Sequence, residues 1–111
     1  MPFAGTYSAV SPGEIISFSI DFGPQLAIGD SIDSSHAPTT TLTVYSGTDA
    51  NAANLPIGTP TINGTIISQY IGHLSPTGFQ QNVVYRWTVT VTTKLGATLI
   101  NYAHIPCLSI N

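Results

Sequence analysis

The sequence predicts an all-β protein of one domain, an antiparallel sandwich or small barrel, and three observations predict it. Residues 82–108, NVVYRWTVTVTTKLGATLINYAHIPCL, alternate apolar and polar side chains almost without a break, the period of half-buried strands. Shorter alternating runs recur along the chain between turns rich in Gly and Pro. No segment sustains the 3.6-residue apolar spacing of an amphipathic helix. Roughly five to eight short strands in a chain of this size fit two packed β layers.

The elements follow in order. Residues 1–13 are punctuated by Pro, Gly and Ser and carry Phe3, Tyr7 and Val10; they read as an extended N-terminal arm, with the sandwich proper over residues 14–111. In EIISFSIDF, residues 14–22, the apolar row is Ile16, Phe18, Ile20 and Phe22, which predicts a half-buried strand. Residues 23–40 carry turn signals at Gly23-Pro24, Gly29-Asp30 and Ala37-Pro38, with room for a short strand or a helical turn. A strand is expected over residues 41–45, then a long loop over 46–60. Residues 61–70 read as a strand, unless Asn63-Gly64 marks a tight turn or bulge. Residues 71–82 read as a second long loop.

The best hairpin closes the chain. Val83, Tyr85, Trp87, Val89 and Val91 form one face of its first strand, which assigns Tyr85 and Trp87 to the core. Val84, Arg86, Thr88, Thr90 and Thr92 form the other face. Lys94-Leu95-Gly96-Ala97 is the turn, and residues 98–108 return. No linker divides the chain, so a single domain is expected.

Charge is the unusual quantity. Only 6% of the 111 residues are charged, where about 25% is ordinary for a soluble domain. Thr, Ser, Asn and Gln supply the polarity instead, and mean hydropathy is +0.25. Such a surface suits a chain that lives largely against other protein. Two basic residues against five acidic ones give a net charge of −3. That argues against nucleic acid or an anionic membrane as partner, since phosphate binding needs clustered Lys and Arg. No apolar run approaches the ~20 residues of a membrane-spanning helix. MPFAGTYSAV lacks the basic and apolar regions of a secretory signal, so none is expected.

Candidate chemistry is sparse. Cys107 is the only cysteine, which excludes an intrachain disulfide; it reads as a small buried apolar residue. His104, three residues before it, falls on the opposite strand face. His36, His73 and His104 share no metal-ligand spacing. Asp30 and Asp33 match no calcium-loop template and read as turn residues that accept backbone N–H bonds. Glu14 is the only glutamate and has no marked acid partner for glycoside hydrolysis. There is no G-x-S-x-G elbow and no phosphate loop leading into a helix. The Asn63-Gly64-Thr65 sequon is taken as chance. No enzyme activity, no cofactor and no metal site are expected.

Protein contact is the favoured use of the loop aromatics. Tyr45, Tyr70 and Phe79 flank the long loops, where a sugar-stacking platform would also be built. The poverty of charge favours interface anchors. The candidate contact residues are Phe3, Tyr7 and Val10 in the arm, with Tyr70, His73 and Phe79 around the second long loop.

Two stretches carry a family likeness. In GEIISFSIDFGPQLAIGDSIDSS, residues 13–35, an acidic residue (Glu14) precedes an apolar strand ending in Asp21-Phe22. A turn over residues 26–30 and an Ile-x-x-Ser run at 32–35 follow. VVYRWTVTVTTKLGATLINYAHIPCL supplies a Thr-x-Thr strand that ends at Leu95-Gly96. Together these resemble small bacteriophage virion proteins of the fiber–tail adaptor type. The middle of the chain, residues 39–81, matches no part of that pattern, and Phe22 stands where the family commonly has Trp.

The resemblance implies an immunoglobulin-like β-sandwich without enzymatic role, present in repeated copies, as a homo-oligomeric ring, on the neck or tail of the virion. Its implied partners are neck or tail and fiber proteins. Two other readings stay open: a capsid decoration protein of the head, and a carbohydrate-binding β-sandwich module using the loop aromatics.

Overall fold

The computed structural model describes residues 3–107. Met1 and Pro2 of the expected arm, and Leu108 at the end of the last expected strand, lie outside the described residues. Seven strands follow one another: β1 (Phe3–Thr6), β2 (Ile15–Asp21), β3 (Thr39–Ser46), β4 (Pro56–Asn63), β5 (Ile66–Gly72), β6 (Val83–Thr92) and β7 (Thr98–Cys107). Single 3-10 turns stand at Gly23–Gln25 and Ala52–Asn54. Among the described residues no helix is long and apolar enough to cross a membrane.

The strands form two sheets, ordered β1-β7-β6-β3 and β2-β5-β4. This is a β-sandwich with the immunoglobulin order. The second, fifth and fourth strands make one sheet, and the third, sixth and seventh make the other. The first strand has moved across to pair with the last. It runs parallel to β7, with Phe3 opposite Tyr102 and Thr6 opposite His104. Residues 3–6 therefore belong to the sheet. Within the expected extended arm of residues 1–13, this stretch is extended and its backbone polar groups pair within its own chain.

The middle of the chain carries the other differences from expectation. Residues 56–60, expected as loop, open strand β4. The strand expected over residues 61–70 is instead the hairpin β4–β5, with Asn63 opposite Ile66. Its two central residues are Gly64 and Thr65, and Gly64 has φ +63°, the left-handed geometry that a II′ turn takes at its first central position. At the far end of β5, glycine is required by space. A Cβ on Gly72 would stand 2.1 Å from the Glu14 carbonyl oxygen, where β2 begins.

The core lies between the sheets. The alternation of β6 is realised in full: Val83, Tyr85, Trp87, Val89 and Val91 are all buried. From the facing sheet come Phe18, Ile20, Ile67 and Ile71, and Phe22 follows at the end of β2. Phe18 lies 6.4 Å from Trp87 and 6.5 Å from Phe79, centroid to centroid. Antibody domains join their second and sixth strands with a disulfide. Here the aromatic pair Phe18–Trp87 joins the same two strands.

Tyr85 stands two residues before Trp87 and forms a tyrosine corner. Its hydroxyl accepts the Gln80 N–H at 2.8 Å and donates to Asp49 at 2.6 Å. Burial and the Asp49 carboxylate push the phenol well above its ordinary range.

One polar side chain is buried on the inner face of β5. Gln69 accepts from the Thr40 hydroxyl at 2.7 Å and from the Trp87 indole N–H at 3.2 Å. Its amide nitrogen donates to the Gly58 carbonyl at 2.9 Å. One amide thereby links β5 to β3, β6 and β4. No buried side-chain nitrogen or oxygen among the described residues lacks a partner.

Two substitutions test this core. Phe18→Ala removes a ring from the centre of the sheet interface and should cost about 3–5 kcal/mol in denaturant unfolding. Gln69→Leu leaves the indole N–H and the Thr40 hydroxyl without their acceptor, which should cost roughly 1–3 kcal/mol. Adding Trp87→Phe and Thr40→Val to Gln69→Leu should cost less than the sum of the separate changes. Strict additivity would remove the network from the account.

Candidate functional site

With the core between the sheets, the accessible chemistry lies on two outer faces that point in opposite directions. Tyr70 stands on the outside of the three-stranded sheet, 59% exposed, opposite Ser17 on one side and Ile57 on the other. Ile15 and Ile57, each 45% exposed, widen this patch. Ser19 and Ser68 share a hydroxyl hydrogen bond of 2.8 Å on the same face. This face is aliphatic and hydroxyl-bearing, with one phenol.

The outside of the four-stranded sheet is built differently. Cross-strand register sets Arg86 on β6 opposite His104 on β7 and Thr43 on β3. A register shift between Val44 and Ser46 marks a bulge at Tyr45, and Tyr45 stacks on His104 at 4.0 Å. The Arg86 guanidinium lies over the Tyr45 ring at 4.9 Å and the Tyr102 ring at 4.8 Å. Phe3 completes the cluster, 5.1 Å from Tyr102 and 4.8 Å from His104. Each cation–π contact is worth about 0.5–1 kcal/mol at an exposed site, enough to hold a long side chain in one rotamer.

Arg86 Nε donates to His104 Nε2 at 3.4 Å, which requires the neutral imidazole with its proton on Nδ1. Burial and, after it, the neighbouring guanidinium hold His104 below the ordinary imidazole value. On the same face, Thr39 and Thr41 of the edge strand β3 pair with Thr90 and Thr88 of β6.

The expected contact residues separate into two groups. Phe3, Tyr70 and His73 are exposed; His73 shares a 2.8 Å hydrogen bond with the Thr77 hydroxyl. Val10 and Phe79 are corrected: they are 3% and 1% exposed. Val10 bridges to Cys107 in the core, and Phe79 packs edge-on against Tyr85 at 5.3 Å. Phe79 is therefore closed to a sugar as well as to a partner protein. Tyr7 is also engaged within the chain. Its ring meets Phe18 at 4.9 Å and its hydroxyl donates to the Ser19 carbonyl. Burial raises its pKa to about 12.

The sequence reading missed Arg86, Tyr102 and His104 as a cluster. Alternation places Arg86 on the polar face, but only the strand register brings the other two beside it. The loop carboxylates behave as turn residues: Asp21 accepts the Gly23 N–H at 2.8 Å and Asp33 the Ser35 N–H at 3.0 Å. Hydrogen bonds from Ser35 and His36 hold Asp33 at about 2. Among the described residues, no group of three or more His, Cys, Asp or Glu is placed to hold a metal ion.

The fold is that of a small immunoglobulin-like module. The family described as podophage GP4 fiber-tail adaptor protein gp77 matches residues 11–105. The chain belongs to that family, a structural component of the phage tail. Comparison with curated proteins finds no match, and comparison with solved structures finds none.

The His104 environment makes a pH prediction. Its folded pKa lies below the unfolded value of ~6.5, so between the two the unfolded chain binds more protons. Stability should therefore fall as pH drops below about 6.5. His104→Gln should lose less than the wild type in urea melts taken from pH 7.5 down to pH 5. Equal losses would show that His104 has no part in it.

Proposed function

We propose that this chain is a non-enzymatic adaptor subunit, repeated as a ring at the neck or tail, that joins tail and fiber proteins through protein contacts alone. The observation that carries the reading is the pairing of two chemically different, charge-poor faces back to back on one rigid sandwich. A joining piece needs two non-equivalent surfaces, and aromatic or Arg anchors are the usual centres of such surfaces. The family match over residues 11–105 supports the same reading. Repeated heterologous contacts between copies close into a ring, and a charge-poor surface suits a subunit enclosed by neighbours.

The accessible contact residues in this reading are Phe3 on one face, Tyr70 on the other, and His73 in the loop beyond β5. Quantitative mass spectrometry of purified particles, referenced to the major capsid protein, tests it. A small multiple of six copies per particle is expected. Hundreds of copies would mean decoration of the head, and absence from particles would end the virion reading.

A further inference from the structure

The Arg86 cluster carries more than a generic contact. Arg86 is one of only two basic side chains in the chain. Among the described residues the recorded ion pair is His36 with Asp33, so no carboxylate lies within 4.0 Å of Arg86. Its two terminal nitrogens make no hydrogen bond there, and no side-chain nitrogen is buried without a partner. Those N–H groups therefore face solvent. Rings cover the guanidinium from Tyr45 and Tyr102, and Nε is committed to His104. What remains open is the outer donor edge of the fork, the part that pairs with a carboxylate. Stacking has already ordered the side chain, so docking there loses little further rotamer freedom.

The chain's own carboxylates are poor candidates for the occupant. Glu14 accepts the Ser11 N–H. Asp21 accepts from Gly23 and Thr65, and Asp30 from Ser31 and Leu95. Asp33 is bonded to Ser35 and His36, and Asp49 accepts from Asn51 and Tyr85. Each of these five side chains already accepts hydrogen bonds within its own chain, so pairing with Arg86 of a second copy would compete with those contacts.

We propose that the outer face of β1-β7-β6-β3 docks a different virion protein by receiving an Asp or Glu side chain on the Arg86 fork, with Phe3, Tyr45 and Tyr102 as the apolar rim. The proposal rests on the adaptor reading and adds the chemistry of one partner. The rim excludes water from the pair, which strengthens it, and among the described residues no Asp or Glu stands on these four strands to compete.

The test uses whole particles. R86E should lower the number of copies per particle at least tenfold, while K94E, the same charge change in the β6–β7 turn, should leave it unaltered. Thermal melting of each variant separates misfolding from failed docking. If R86E melts early, R86K, which keeps the positive charge, carries the test.

R86K particles treated with a water-soluble carbodiimide, which joins an amine to a touching carboxylate without a spacer, should link Lys at position 86 to an Asp or Glu of another virion protein. Linkage to a second copy of this chain would overturn the proposal. So would an unlinked position 86 in particles of normal composition, or normal incorporation of R86E. If wild-type particles lack the chain altogether, the adaptor reading falls with it. If the chain is present but unlinked, only the docking face falls.

Discussion

In the buried interior, one amide ties the two sheets together in register. Gln69 sits among apolar neighbours on the inner face of β5 and reaches Trp87, Thr40 and Gly58. Hydrophobic contact alone would let one sheet slide over the other at little cost, because it is non-directional. A buried donor and acceptor set has one arrangement in which every group is satisfied, and any other leaves unsatisfied polar atoms in the core. The placement of Trp87 beside Phe18, and of Tyr85 in its corner, is tied to that arrangement. In the absence of a disulfide, this polar pin and the aromatic contact around it take over the work of joining the layers.

The same arrangement decides what faces outward. Fixing the inner row of β6 fixes the outer row too, since a strand alternates strictly. Arg86 is therefore displayed on the outside of the four-stranded sheet because Trp87 is locked on the inside. Pairing with β7 brings Tyr102 and His104 to it, and the bulge at Tyr45 turns a third ring toward the guanidinium. The cluster is thus a consequence of core packing, held on strands and not on loops. Rigid support of this kind is what a contact surface needs to keep its geometry.

Charge is used sparingly and locally. The carboxylates cap turns: Asp30 accepts from Ser31 and Leu95, and so ties the long β2–β3 connection to the β6–β7 turn. The rest of the polar surface is hydroxyl and amide, interspersed with exposed apolar side chains, and it hydrates without strong repulsion between like neighbours. Such a surface approaches another protein with a modest desolvation cost. Belonging to a phage adaptor family, the chain has a composition that fits a life among neighbours.

Much of this was legible in the residues themselves. The alternation of Val83 to Val91, the row from Ile16 to Phe22 and the turn at Gly96 determined the sandwich, the core and the hairpin, because a two-residue period admits one burial pattern. The Gly23-Pro24 and Gly29-Asp30 pairs likewise announced turns. The hairpin at Gly64-Thr65 was legible only as an alternative, since a single Asn-Gly fits a bulge as well as a turn. Gln69 lay on the Ile67–Ile71 row all along, yet its role depends on partners from three other strands.

Only the tertiary structure decided the fate of Phe3, Tyr7, Val10 and Phe79. An aromatic in a loop or arm reads the same whether it meets its own core or a neighbour, and burial is settled by strand pairing far away in sequence. The cluster around Arg86 was undecided for the same reason: residues 3, 45, 86, 102 and 104 become neighbours through register, and register is a property of the folded pair of sheets, not of any one strand.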